Sequence, residues 1–171
     1  MPLSRPEFLP ILRAFLRAKV EFIVIGGVAA NLHGSPMITF DVDLVPRRSL
    51  ENFARTIEAL TSLDAWYREH GDKRLRPTVE RLQHYPGTHL LETRHGRLDL
   101  LGAVSGGAGY DELLERTVWF ELDPGERLRT IDLEALIELK RSIGREKDRS
   151  ALLLLEEVLA ERRRLGMPRD G

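Results

Sequence analysis

The chain has 171 residues, of which 42% are hydrophobic and 31% charged, with a formal net charge of −1. This balance suits one globular domain and excludes a grossly basic nucleic-acid coat protein or an acidic tail. The absence of cysteine excludes disulfides, thiolate metal sites and a cysteine nucleophile.

No apolar run approaches the roughly 18 residues that a membrane span needs. Arg5, Glu7, Arg13 and Arg17 interrupt any signal-peptide core. A cytoplasmic protein is the expectation.

Ser4-Arg5-Pro6-Glu7 opens a first helix, with Ser4 as its cap, and Phe8, Leu9, Leu12, Phe15 and Leu16 recur at helical spacing. Residues 21–25 are a β-branched run stopped by Gly26-Gly27, which reads as a buried strand entering a tight turn. Residues 28–33 follow as a short helix broken by Gly34-Ser35-Pro36. Residues 38–45 read as a second strand, with Phe40, Val42 and Leu44 on one face and Thr39, Asp41 and Asp43 on the other. Ser49 caps a helix reaching about residue 60.

Residues 62–86 carry no clear period. Residues 88–93 and 97–101 then form a hairpin across Arg94-His95-Gly96. A short helix over 110–114 precedes a strand pair, 117–122 and 127–131, joined through Asp123-Pro124-Gly125. Asp132 caps a helix carrying Leu133, Leu136, Ile137 and Lys140, and a last helix spans about 146–164. The run Leu152 to Leu155 predicts that this last helix is well buried. The order predicts an α+β fold: a mixed or antiparallel sheet with helices packed on one side. A single domain over 1–171 is expected, with 132–165 as a C-terminal helical extension.

Chemistry concentrates in three places. Gly26-Gly27 ends a strand, Asp41-Val42-Asp43 lies on the next, and Asp99 lies between Leu98 and Leu100 on a later one. Strand alternation puts all three carboxylates on the face opposite the apolar one. Such carboxylates raise one another's pKa values, and a hard cation relieves the repulsion. Mg²⁺ or Mn²⁺ with a phosphate substrate fits this donor set. The glycine pair lets backbone approach a phosphate closely.

This ordered set resembles the nucleotidyltransferase pattern of the DNA polymerase β superfamily. The string Ile25-Gly26-Gly27-Val28-Ala29-Ala30-Asn31-Leu32-His33-Gly34-Ser35-Pro36, followed by Thr39-Phe40-Asp41-Val42-Asp43-Leu44, is similar to minimal members that include AbiEii-type toxins. Leu136-Ile137-Glu138-Leu139-Lys140 and Gly144-Arg145-Glu146-Lys147-Asp148 match the end of that pattern. The resemblance implies a polymerase β-like fold and Mg²⁺-dependent transfer of a nucleoside monophosphate from an NTP to a hydroxyl. It implies that Asp41, Asp43 and Asp99 bind metal and act catalytically. It implies that Gly26 and Gly27 hold the phosphates, with Thr39, Lys140, Arg145 and Lys147 as further nucleotide contacts and Asp148 orienting Lys147. It also implies a tRNA or protein acceptor and an antitoxin partner.

Two positions depart from many relatives. Gly27 stands where serine is common, so backbone N–H groups replace a hydroxyl. Met37 stands where a basic residue is common, which removes a phosphate or substrate contact.

Other readings stay open. Lys140 and Lys147 also suit a solvated helix face. Thr39 also suits sheet packing, and His33 a packed or capping histidine. Arg74, Arg76 and Arg81 read as acceptor contacts or solvent-facing groups, and Arg162 to Arg164 as an RNA contact or a charged helix end. Two other functions fit the motifs. One is modification of a small hydroxyl compound of the aminoglycoside type, which with only a short helical extension requires a dimer to enclose it. The other is a non-catalytic NTP- or partner-binding protein. The oligomeric state is not legible.

Overall fold

A computed structural model describes residues 7–168. Ser4, the expected first cap, lies outside the described residues.

Seven strands form one sheet in the order β3-β4-β5-β2-β1-β7-β6. They are β1 (Phe22–Ile25), β2 (Asp41–Pro46), β3 (Trp66–Tyr67), β4 (Thr88–Thr93), β5 (Gly96–Leu101), β6 (Thr117–Asp123) and β7 (Glu126–Ile131). β1 runs antiparallel to β2 and parallel to β7, while β2 runs parallel to β5. β4–β5 and β6–β7 are the antiparallel hairpins expected from their turn residues.

The register sorts the side chains. Residues directly opposite one another share a sheet face. Val24 faces Leu44, Leu44 faces Leu100, and Leu100 faces His89, and all four are buried. On the other face Ile25 opposes Asp43, Asp43 opposes Asp99, and Asp99 opposes Leu90. The alternation of Val42, Leu44, Leu98 and Leu100 with Asp41, Asp43 and Asp99 thus separates core from chemistry.

The helices are α1 (Phe8–Arg17), α2 (Gly26–Leu32), α3 (Leu50–Ser62), α4 (Val79–His84), α5 (Tyr110–Leu113), α6 (Leu133–Ile143) and α7 (Arg149–Arg164). α1 meets the apolar sheet face through Phe15, whose ring lies edge-on to Phe22 at 5.5 Å. α3 packs beside α1 and α4, and adds Phe53 and Leu60 to the core. Its cap is Ser49, which accepts from the Asn52 N–H. α6 starts at Asp132, whose carboxylate accepts from the Ala135 N–H at 2.6 Å. It stops at Gly144 in the left-handed region, φ +63°. No helix of the described residues is long and apolar enough to cross a membrane.

Three expectations are corrected. The second strand starts at Asp41, not at 38, and Phe40 is 53% exposed rather than in the core. Thr39 bonds to the Asp41 carbonyl just ahead of the strand, so the preceding residues form a loop rather than a ladder. α7 is not well buried: it buries Ala151 and Leu155, while Leu153 is 62% exposed. Four leucines in a row on a helix cannot all face one side. Gly26 and Gly27 are the first residues of α2 rather than a turn before it.

Candidate active site

β1 delivers the chain to Gly26 beside β2. Gly26 has φ +66°, and a Cβ there would collide with the Asp43 carboxylate. A Cβ on Gly27 would collide with the Thr39 side chain. A side chain at Gly27 would press on the Thr39 Cβ, while one at Gly26 would displace the Asp43 carboxylate and sit in a left-handed backbone conformation that favours glycine. The two glycines keep the start of α2 open against Asp43 and Thr39. Asn31, later on α2, donates to the carbonyls of Ser35 at 2.8 Å and Met37 at 2.7 Å. It thereby fixes the loop that carries Met37 and Thr39 back to the site.

Asp41 is partly buried, and its Oδ1 is a buried oxygen without a hydrogen-bond partner among the described residues. Such an atom is costly unless a ligand satisfies it. Burial pushes the Asp43 carboxyl up to about 7, helped by the charges of Asp99 and then Asp41 and opposed by Lys140 and Arg68. Burial likewise raises Asp99, against the pull of Arg68. Two raised carboxyls beside an orphaned Asp41 oxygen form an oxygen-rich surface. The donor set is all oxygen, so it fits a hard divalent ion such as Mg²⁺ or Mn²⁺.

The three aspartates share a face and a register but are not yet one cage. Among the described residues no three metal-ligating groups are already gathered as a site. Asp99 is engaged elsewhere: its Oδ1 accepts from Arg68 Nη1 at 2.7 Å.

Lys140 reaches the site from α6. Its side chain is 13% exposed and its Nζ donates to Asp148 Oδ1 at 3.2 Å. Asp148 therefore orients Lys140, not Lys147 as the motif suggested. Arg145 and Lys147 are exposed on the segment between α6 and α7, and the structure does not bring them against the aspartates.

Other predicted residues have internal work. His33 is buried, with Nε2 2.7 Å from the Ile131 carbonyl, and burial lowers its pKa. It ties the end of α2 to the end of β7. Arg76 pairs with Asp64 at 2.6 Å, Arg74 lies over the Trp66 ring, and Arg81 lies over Tyr67. Arg162 donates to the His33 carbonyl, Arg163 pairs with Glu134, and Arg164 pairs with Glu161.

Sequence reading missed Arg68. It sits in a short 3-10 turn, Arg68–His70, just after β3. The only local signal was the aromatic pair Trp66-Tyr67 before it, too short to reveal a strand.

Two solved structures have a similar fold. The lincomycin-bound crystal structure of the lincosamide antibiotic adenylyltransferase LnuA matches with a TM-score of 0.62 at 16% identity, over 88% of this chain and 95% of that one. The chain has a nucleotidyltransferase fold. A Thermotoga maritima protein, TM1012, proposed to be a nucleotidyltransferase, matches with a TM-score of 0.50 at 20% identity, over 92% of this chain and 96% of that one. No protein-family model matches the sequence, and no curated protein matches it. The likeness of fold extends over 88% and 92% of this chain in the two cases.

Proposed function

We propose that the protein is a divalent-metal-dependent nucleotidyltransferase that moves an NMP from an NTP to a hydroxyl. The observation that carries this reading is the row Asp41, Asp43 and Asp99 beside the glycine-opened start of α2. The nucleotidyltransferase fold supports it.

In this reading Asp41 and Asp43 hold Mg²⁺ together with the triphosphate, and Asp99 completes the set. When bound, the metal supplies neutralisation of phosphate charge and polarisation of the attacked phosphorus. The chain's own residues do the rest. The backbone at Gly26 and Gly27 seats the terminal phosphates, and Thr39 lines the same seat. Lys140, held by Asp148, offsets negative charge from the opposite side. Asp99 lies nearest the acceptor and takes the proton of its hydroxyl as the oxygen attacks the α-phosphorus; pyrophosphate leaves. Arg145 and Lys147 serve as outer contacts to the nucleotide.

The acceptor in this reading is a macromolecular hydroxyl, on tRNA or protein, as in the toxin-type enzymes that the motif string resembles, with an antitoxin as partner. A second reading has a specific observation in its favour: the likeness to a lincosamide adenylyltransferase covers nearly all of that enzyme. A small hydroxyl compound is then the acceptor. The intact aspartate row speaks against a non-catalytic binder.

Incubation with Mg²⁺, each α-labelled NTP, and tRNA, cell protein, a lincosamide and an aminoglycoside in separate tubes decides among them. Label on one acceptor, absent with Asp41→Ala/Asp43→Ala, names its class. Label on none, with NTP binding also absent, would sink the enzyme reading.

A further inference from the structure

Arg68 is the basic side chain that, among the described residues, is ion-paired with any of the three aspartates. The others nearby are committed elsewhere. Lys140 pairs with Asp148 at 3.2 Å, and Arg97 leans toward Glu92 at 3.8 Å. Arg68 and Asp99 are 21% and 14% exposed at their side chains, so the pair is largely withdrawn from water.

The fold builds this contact deliberately. β3 pairs with β4, placing Tyr67 opposite Leu91 and Trp66 opposite Glu92. The 3-10 turn that follows sends Arg68 back across β4. Its Nη1 donates both to the Leu91 carbonyl at 3.1 Å and to Asp99 Oδ1 at 2.7 Å. The Leu91 carbonyl thus fixes the same nitrogen that grips the carboxylate. A charge-assisted bond of this kind is about twice as strong as a neutral one. Asp41, by contrast, keeps a buried oxygen with no partner among the described residues.

We propose that Arg68 is an internal counter-cation: it positions Asp99 in the cation-free protein and competes with a divalent ion for that carboxylate. The inference rests on the reading of the aspartates as metal ligands. Asp41 and Asp43 then take a cation first, and Asp99 joins only as Arg68 lets go. Arg68 is a positioning residue acting through Asp99.

The test is calorimetric titration of the nucleotide-free full chain with Mn²⁺. Arg68→Met is expected to bind Mn²⁺ about tenfold more tightly than wild type, a change of about 1.4 kcal/mol. Arg68→Lys, which keeps the charge, stays close to wild type. In an Asp99→Asn background the Arg68→Met change has no effect on Mn²⁺ affinity. Unchanged or weaker binding by Arg68→Met overturns the proposal, because a purely structural arginine gives that result.

A measurement on the unaltered protein stands beside it, should Arg68→Met not fold. In the ¹⁵N spectrum of the arginine side chains, the Arg68 signal should move with added Mg²⁺ and saturate. A signal that stays fixed while the protein binds Mg²⁺ overturns the proposal alone. Failure of wild type and variants alike to bind either cation overturns the metal reading and this inference together.

Discussion

Asp43 lies directly opposite Asp99 across the parallel strands β2 and β5, and Asp41 lies two residues earlier on β2. Burial, helped by these neighbouring like charges, raises the Asp43 carboxyl to about 7. An unfolded aspartate titrates near 3.9. Between those values the folded protein holds a proton that the unfolded chain has released. Stability is therefore lost as pH rises through this window. The metal-free Asp43→Asn protein should melt at a higher temperature than wild type at pH 8, with the gap closing toward pH 4. Saturating Mg²⁺ should raise the melting temperature of wild type but not of the variant. Equal melting curves at pH 8 would contradict the strained carboxylate pair.

Gly26 and Gly34 both have positive φ, yet only Gly26 has a neighbour in its way. Gly26→Ala should displace the Asp43 carboxylate and lower turnover about 100-fold, the scale of a misplaced reacting group. Gly34→Ala should cost about 1 kcal/mol of stability and leave turnover near wild type. Comparison of kcat with chemical unfolding for both variants checks this. Equal kinetic losses would mean that the glycine opening does not serve the site.

Lys140 and Asp148 act as a pair, whereas Lys147 and Arg145 stand in solvent. Lys140→Met should lower kcat/KM about 100-fold, the scale of one lost electrostatic donor. Asp148→Asn should fall between that variant and wild type, because the cation remains but loses its anchor. Lys147→Met and Arg145→Met should each cost about fivefold or less, the range of exposed charges. A Lys147 effect exceeding that of Lys140 would reverse this ranking.

Asn52 secures the start of β1 from α3. It accepts from the Glu21 N–H at 2.8 Å, and donates to the carbonyls of Glu21 and Arg47 at 2.9 Å each. Asn52→Leu takes away these three bonds, and only the Glu21 carbonyl keeps another donor, the Arg47 N–H at 2.9 Å. About 3 kcal/mol of stability should be lost, measured by urea unfolding. A loss below about 1 kcal/mol would show that water replaces the amide.

Where alternation was long enough, strands were legible. Leu98-Asp99-Leu100 announces its own faces, and the turns after Thr93 and Asp123 fix their hairpins. The start of β2 was misplaced because Ile38 and Phe40 mimic alternation while lying in a loop held by Asn31 and Thr39. The leucine run of α7 overstated burial because adjacent residues on a helix diverge. Residues 62–86 stayed opaque because β3 is only two residues long and takes its structure from β4. The cost was Arg68, whose role depends on reaching across a strand that no local pattern reveals. Asp148 was assigned to the neighbouring Lys147, although the turn into α7 points it back to Lys140.

The most direct measurement follows γ-labelled NTP with Mg²⁺ in the presence of whichever acceptor takes the α label. Nucleotidyl transfer predicts that the γ label leaves as pyrophosphate in step with acceptor labelling, and that Asp41→Ala/Asp43→Ala abolishes both. Release of the γ label as orthophosphate, or its appearance on the acceptor, would contradict attack at the α-phosphorus and with it the assignment of the aspartate row to nucleotidyl transfer.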